Sequence, residues 1–309
     1  MISLDEFRGL AKRVSNWGRW GAEDQRGTLN LITGDVLRRA AASVVDGAAF
    51  RLGMDLSPHG PQLPDRAPAR INPVRSMLAI NTPVAPAPDE CAASDDIVVT
   101  PTQAATHWDA LSHVSYAGQV YNGYPAGVIT AAGATKLGID AFGAVVSRGV
   151  LLDVARHVGV EDLPRKFAVT RAVLEDVERA QGVSVQPGDI VAVRTGNSRH
   201  FLAGDVLGYR DNVPAFDYDA AVYFHERDVA AVAIDNMPTE LLPSNVDGVF
   251  LPLHILCLVM MGMPLGENWV FEGLADACAA DRRYEFLLSA TPEPFVHSTG
   301  GLVSPVAVR

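Results

Sequence analysis

The chain has 309 residues, 48% of them hydrophobic and 20% charged, with a formal net charge of -11. This suits a soluble globular protein long enough to bury a substantial core. The acidic balance argues against nucleic acid or an anionic membrane as the main partner, and no apolar run approaches the roughly 18 residues that span a bilayer. The expectation is a cytoplasmic protein whose partner is a small molecule.

In chain order, the first residues open an amphipathic helix rather than a basic-then-apolar secretion signal. Ser3 with Glu6 forms a capping box, and Leu4, Phe7, Leu10, Ala11 and Val14 recur at helical spacing. Thr33 is expected to cap a second helix with Leu37, Ala40, Ala41 and Val44 on its apolar face and Gly47 ending it. Together these make an N-terminal helical arm over residues 1–47. Extended runs follow at 50–56, 76–80 and 97–100, separated by proline-rich loops at 57–73 and 82–88 of the kind that serve as lids or oligomer contacts.

The second half alternates more regularly. Residues 149–154 read as a buried strand, and Thr170 opens a helix that runs through Val173, Leu174 and Val177 to Gly182. Pro187-Gly188-Asp189 turns into a strand at 190–195; residues 218–227 are helical and 229–235 extended. Strand-helix alternation at these lengths predicts an α/β layered domain. With no repeat or composition break, residues 1–309 form one domain. Cys91, Cys257 and Cys278 are too scattered for a disulfide framework or a cysteine-rich zinc site.

The chemistry concentrates at His107-Trp108-Asp109, followed by His113. In an extended segment His107 and Asp109 point to the same side, because strand side chains alternate with a period of two. An imidazole beside a carboxylate suits a divalent cation, and a further ionisable group can move protons. The residues alone leave open a buried hydrogen-bonded pair in a turn.

Downstream, His254 heads an apolar helix behind Pro252, and Glu267 follows the break Gly262-Met263-Pro264-Leu265-Gly266. Taken singly, His254 reads as a satisfied structural histidine and Glu267 as a surface-turn carboxylate. Arg194 ends a strand where ligand groups often project, or it pairs with Asp189 or a helix end. Asp235 at another strand end reads as structural. Trp17, Trp20, Trp108 and Tyr124 are candidate walls of an aromatic pocket, or plain core. His59 and His225 read as surface histidines, the latter in a solvated helix end, while His297 precedes Thr299-Gly300-Gly301 near a candidate site.

Residues 106–113 resemble the His-x-Gly-Thr-His-x-Asp-x-Pro-x-His signature of the cyclase-type metal hydrolases, a family that includes bacterial kynurenine formamidase and isatin hydrolase. The likeness extends along the chain through Arg19 to Asp24 with 27–30, Pro187-Gly188-Asp189 with Arg194-Thr195-Gly196, His254 with Gly266-Glu267-Asn268, and Ser304 to Ala307. It implies a swivelling β/β/α fold and a homodimer or homotetramer. It also implies His107, Asp109, His254 and Glu267 as metal ligands, with His113 as proton donor and acceptor. Three positions depart from the signature: Gln103 stands where it begins with histidine, Ala105 replaces its glycine and Leu111 its proline. A glutamine oxygen at position 103 is a weaker and harder ligand than imidazole, favouring a single ion or Mn²⁺ over a pair of Zn²⁺ ions.

The resemblance therefore implies metal-dependent hydrolysis of an amide, N-formyl, lactam or lactone bond in a small substrate, aromatic ones included. Trp108, Trp20, Tyr124 and Arg194 are the substrate-binding candidates. The alternatives are a metal-dependent lyase or cyclase acting through an enolate, and a non-catalytic small-molecule binder on the same fold.

Overall fold

Strands that are apolar at every position must be covered on both faces, and such runs form the centre of this molecule. The computed structural model describes residues 1–65, 70–86 and 90–309, so parts of the segments expected as loops at 57–73 and 82–88 lie outside the described residues. The main-sheet strands in the first part of the chain are β1 (Ala49–Arg51), β4 (His107–Asp109) and β5 (Val146–Asp153), with β2 (Val74–Pro83) and β3 (Ala92–Val99) forming a separate hairpin. Further along come β6 (Ile190–Arg194), β7 (Ala231–Ile234), β8 (Leu265–Glu267), β9 (Glu285–Ser289), β10 (Gly300–Leu302) and β11 (Val306–Val308). The nine-stranded sheet runs β1-β11-β9-β5-β6-β7-β8-β4-β10. Its central pairs from β5 to β8 are parallel, while the pairs at both ends are antiparallel. The result is a mixed α/β domain, and every residue of β6 and β7 is buried.

The helices start where the sequence places their caps. In α1 (Leu4–Arg13) the Ser3 and Glu6 side chains complete the capping box. Thr33 caps α2 (Gly34–Ala42), and Thr170 caps α3 (Arg171–Gln181), which ends at Gly182 in the left-handed conformation. Helix α2 ends at Ala42, short of Gly47, and buries Val36 and Ala40 while Leu37 and Val44 are exposed. Arg39 on that helix reaches the Pro187 carbonyl and Asp189, which fixes its rotation. Residues 1–47 do not project as an arm. Phe7, Leu10, Ala11 and Val14 join the main core, and the Trp17 indole donates to the Val259 carbonyl at 2.7 Å.

Helix α4 (Ala220–Glu226) matches the helical expectation for 218–227, but its end is not fully solvated. His225 is partly buried and its Nδ1 has no hydrogen-bond partner among the described residues. Burial pushes that imidazole below its ordinary range, chiefly by penalising the charged form. The apolar segment after Pro252 begins as an α-turn (Pro252–His254) and widens into a π-helix (Ile255–Met261) that Gly262 ends at φ +66°. The chain then enters β8, between β7 and β4, rather than a surface turn. Glu267 is thus a buried strand residue. Hairpin β2–β3 is longer than the runs expected at 76–80 and 97–100, and among the described residues its strands pair only with each other. Among the described residues, no helix is long and apolar enough to cross a membrane.

Candidate metal centre

Strand pairing assembles the site. Across the antiparallel β8–β4 ladder Glu267 lies opposite His107 and Leu265 opposite Asp109. Residues directly opposite share a face, as do residues two apart along a strand, so His107, Asp109 and Glu267 converge. Trp108 faces the other way, where its Nε1 donates to the Ala290 carbonyl at 2.8 Å and its ring meets Trp269 edge-on at 5.0 Å. Gly266 makes room for that pair: a Cβ there would lie 2.7 Å from Trp269 Nε1 and 2.8 Å from Trp108 Cζ3.

His107 Nε2 lies 3.4 Å from Asp109 Oδ1 and 3.7 Å from Glu267 Oε2. His113 Nε2 is 3.7 Å from Asp109 Oδ1. His254 Nε2 stands 3.8 Å from Asp109 Oδ2 and 3.9 Å from Glu267 Oε1. His107, Glu267 and His254 are each held by a neighbour. His107 Nδ1 donates to the Ala105 carbonyl at 2.8 Å, which leaves Nε2 as the free lone pair. Thr239 donates both its N–H and its hydroxyl to Glu267 Oε1, each at 2.7 Å. Glu240 accepts from His254 Nδ1 and also from the backbone N–H groups of Leu253 and His254 at 3.1 and 3.2 Å.

Burial opposes charge throughout the cluster. It would raise the Asp109 carboxyl, but His113, His107 and His254 outweigh it and hold Asp109 well below the usual carboxylate range. Burial likewise penalises charge on His254, yet Glu240, Glu267 and Asp109 lift that imidazole to about 9. His113 goes the other way. The Asp109 charge raises it, and burial together with the charges of His254, Arg70 and His107 leaves it below its ordinary value.

The donor set fits a divalent cation. Ligand atoms of His107, Asp109 and Glu267 all lie within 4.8 Å of one another. His107 Nε2 and Asp109 Oδ1 are buried without a hydrogen-bond partner among the described residues. Buried polar atoms without partners are costly, and coordination satisfies both at once.

The cyclase family model matches residues 50–240 of this sequence, well over half of the chain. The chain belongs to the cyclase family, a family of enzymes. A crystal structure described as a novel cyclase is 34% identical, with a TM-score of 0.88 over 97% of this chain and 99% of that one. Isatin hydrolase A from Ralstonia solanacearum is 17% identical, with a TM-score of 0.64 over 89% of this cyclase-family chain and 97% of its own. A structure described as a potential metal-dependent hydrolase with cyclase activity is 15% identical, with a TM-score of 0.54 over 84% and 98%. These two more distant likenesses concern the fold. A search of curated proteins finds no match.

A cavity of about 400 Å³ opens onto this cluster, lined by His113, His254 and Glu267 together with Met237, Leu242 and Phe250. Trp108, Trp20, Tyr124 and Arg194 are not among its lining residues. Trp108 is core on the opposite face of the strand. Trp20 stacks under the Arg19 guanidinium at 4.8 Å, and the Tyr124 hydroxyl lies 3.5 Å from Glu23. Arg194 is buried in ion pairs with Asp153 and Glu272, each at 2.9 Å, and not with Asp189, which Arg148 holds. The Gln103 amide hydrogen-bonds Thr102 and Thr299, and none of its hydrogen bonds goes to the ligand cluster. Asp235 accepts from both groups of Thr195 and from Gly196, a structural clamp. His297 is exposed.

Sequence reasoning missed Glu240, Thr239, Arg70 and Arg210. Glu240 is a lone carboxylate with no periodic or motif signal around it. Its one sequence clue is that a polar residue heading an apolar helix, as His254 does, requires a partner.

Proposed function

We propose that this protein is a metal-dependent hydrolase that cleaves an amide, N-formyl, lactam or lactone bond of a small substrate. The observation that carries the reading is the pair of buried atoms His107 Nε2 and Asp109 Oδ1, without hydrogen-bond partners among the described residues and gathered with Glu267, which itself lines a cavity. His107, Asp109 and Glu267, with His254 beside them, would hold the ion. Two imidazoles and two carboxylates suit Zn²⁺ or Mn²⁺. When bound, such an ion supplies Lewis acidity, lowering the pKa of water to about 7 and favouring charge on an acyl oxygen.

The chain's own groups do the rest. Glu240 holds the proton of His254 at Nδ1, so Nε2 faces the ligand cluster as a lone pair once a cation replaces the proton there. His113 Nε2, partly exposed at the cavity, is depressed in basicity and thus neutral near pH 7. In this reading it accepts a proton from the nucleophilic water and returns it to the leaving group.

The test is elemental analysis of protein purified without chelator, joined to turnover of N-formyl aromatics, lactams and lactones. The reading expects a stoichiometric divalent ion and turnover of at least one class, with both lost in His107→Ala. Metal content that is absent, or unchanged in both His107→Ala and Glu267→Gln, would overturn it. Exchange of a substrate C–H in D₂O without net hydrolysis would instead assign cyclase or lyase chemistry.

A further inference from the structure

The Ala105 carbonyl that accepts from His107 Nδ1 lies outside the β4 ladder, whose pairing begins at His107. Strand register therefore does not aim it. A second donor does. Asn268 Nδ2 lies 3.0 Å from the same oxygen, so both lone pairs of that carbonyl are used. Because a carbonyl only accepts, the amide nitrogen of Asn268 must face it and the amide oxygen must face away. That oxygen accepts from the Tyr209 hydroxyl at 2.7 Å. Asn268 and Tyr209 are both fully buried, so either bond is costly to leave unmade.

Asn268 is held at its backbone as well. It follows Glu267 at φ +60°, in the left-handed region that asparagine enters more readily than most residues. Its N–H donates to the Asn236 carbonyl at 3.0 Å, and its carbonyl accepts from the Thr106 hydroxyl. Glycine would satisfy that backbone, but only a side chain that accepts at one atom and donates at another can join Tyr209 to Ala105. The tautomer of an imidazole is set by the bond its other nitrogen makes, and at His107 that bond is braced by Asn268. We infer that Asn268 is a positioning residue: through the Ala105 carbonyl it keeps the His107 proton at Nδ1 and presents Nε2 to Asp109, Glu267 and a cation between them. This rests on the reading of the cluster as a metal centre.

The experiment uses the full chain and two variants: Asn268→Gly, which keeps the left-handed backbone, and Tyr209→Phe, which removes only the hydroxyl. Long-range proton–nitrogen NMR spectra of the metal-free protein at mildly alkaline pH read the tautomer of His107, assigned by the signal missing from His107→Ala. Competition with a chromophoric chelator reads Zn²⁺ affinity. The unaltered chain is expected to show His107 protonated at Nδ1. Asn268→Gly should show a mixture of tautomers and bind Zn²⁺ about tenfold or more weakly, with Tyr209→Phe changed less in the same direction. Urea unfolding of the metal-free protein is read beside both, because a merely structural role lowers stability and leaves tautomer and affinity alone. If Asn268→Gly does not fold, Tyr209→Phe decides. A His107 that stays wholly Nδ1-protonated in the folded variant, or an unchanged Zn²⁺ affinity, overturns the inference. An unaltered chain that binds no Zn²⁺ defeats the metal-centre reading instead, and the tautomer comparison then decides the role of Asn268 by itself.

Discussion

On one side of the cavity the functional groups come from hydrogen-bonded strands. His107, Asp109 and Glu267 sit on β4 and β8, locked in register and buried, with His107 and Glu267 further held by hydrogen bonds with their neighbours. On the other side the wall comes from the irregular segment between β7 and Pro252, together with Arg70. Its side chains grade from buried Met237 to Phe250, which is 73% exposed. The difference separates two jobs. On the proposed reading, the geometry of the metal-holding groups is set by backbone pairing that the whole sheet enforces, while the cavity wall can change its side chains without touching that pairing.

Substitutions on each side sharpen the contrast. Asp109→Asn keeps the shape but removes the charge between three imidazoles, so bound metal and turnover should both fall, turnover by on the order of a thousandfold. Elemental analysis beside a kinetic assay reads both. Glu240→Gln leaves the ligands in place but loosens His254, and metal affinity should drop about 10–100-fold, as measured by competition with a chromophoric chelator. A Glu240→Gln protein that binds metal as tightly as the unaltered chain would show that strand register alone suffices.

Gly266→Ala tests the packing beneath the ligand strand. Its Cβ would meet both Trp269 and Trp108 inside 3 Å, so urea unfolding should show a loss of about 1–3 kcal/mol. Phe250→Ala, on the opposite wall, should move KM a few-fold with stability within about 0.5 kcal/mol and metal content unchanged. A large stability change at Phe250 would erase the distinction between the two sides.

The sequence made the β4 half of the site legible and obscured the β8 half, for a physical reason. Period-two alternation aligns His107 with Asp109, and it also sends Trp108 to the opposite face, so a wall role for Trp108 conflicts with the alternation itself. Strand β8 is as short as β4 but carries a single ionisable residue, Glu267, behind a glycine- and proline-rich break, so no second ligand-type side chain two positions away marks its face. Glu267 therefore looks like a turn residue until the sheet order is known. Helix caps at Ser3, Thr33 and Thr170 were readable because they are local, whereas α2's rotation depends on Arg39 reaching residues far along the chain. Arg194 carried the expected strand-end position, but its partners Asp153 and Glu272 come from distant segments that only tertiary structure identifies.

The Glu240 carboxylate has two duties, receiving the first amides of the turn at Pro252 and gripping the outer nitrogen of His254. Whatever frays that turn also detunes the imidazole, and whatever alters the imidazole's basicity is transmitted to the start of the helix. On the proposed reading, the protein therefore cannot adjust its grip on a cation there by small, isolated steps. Drift at position 240 must be accompanied by a change at 254, and the two sites are expected to evolve as a unit.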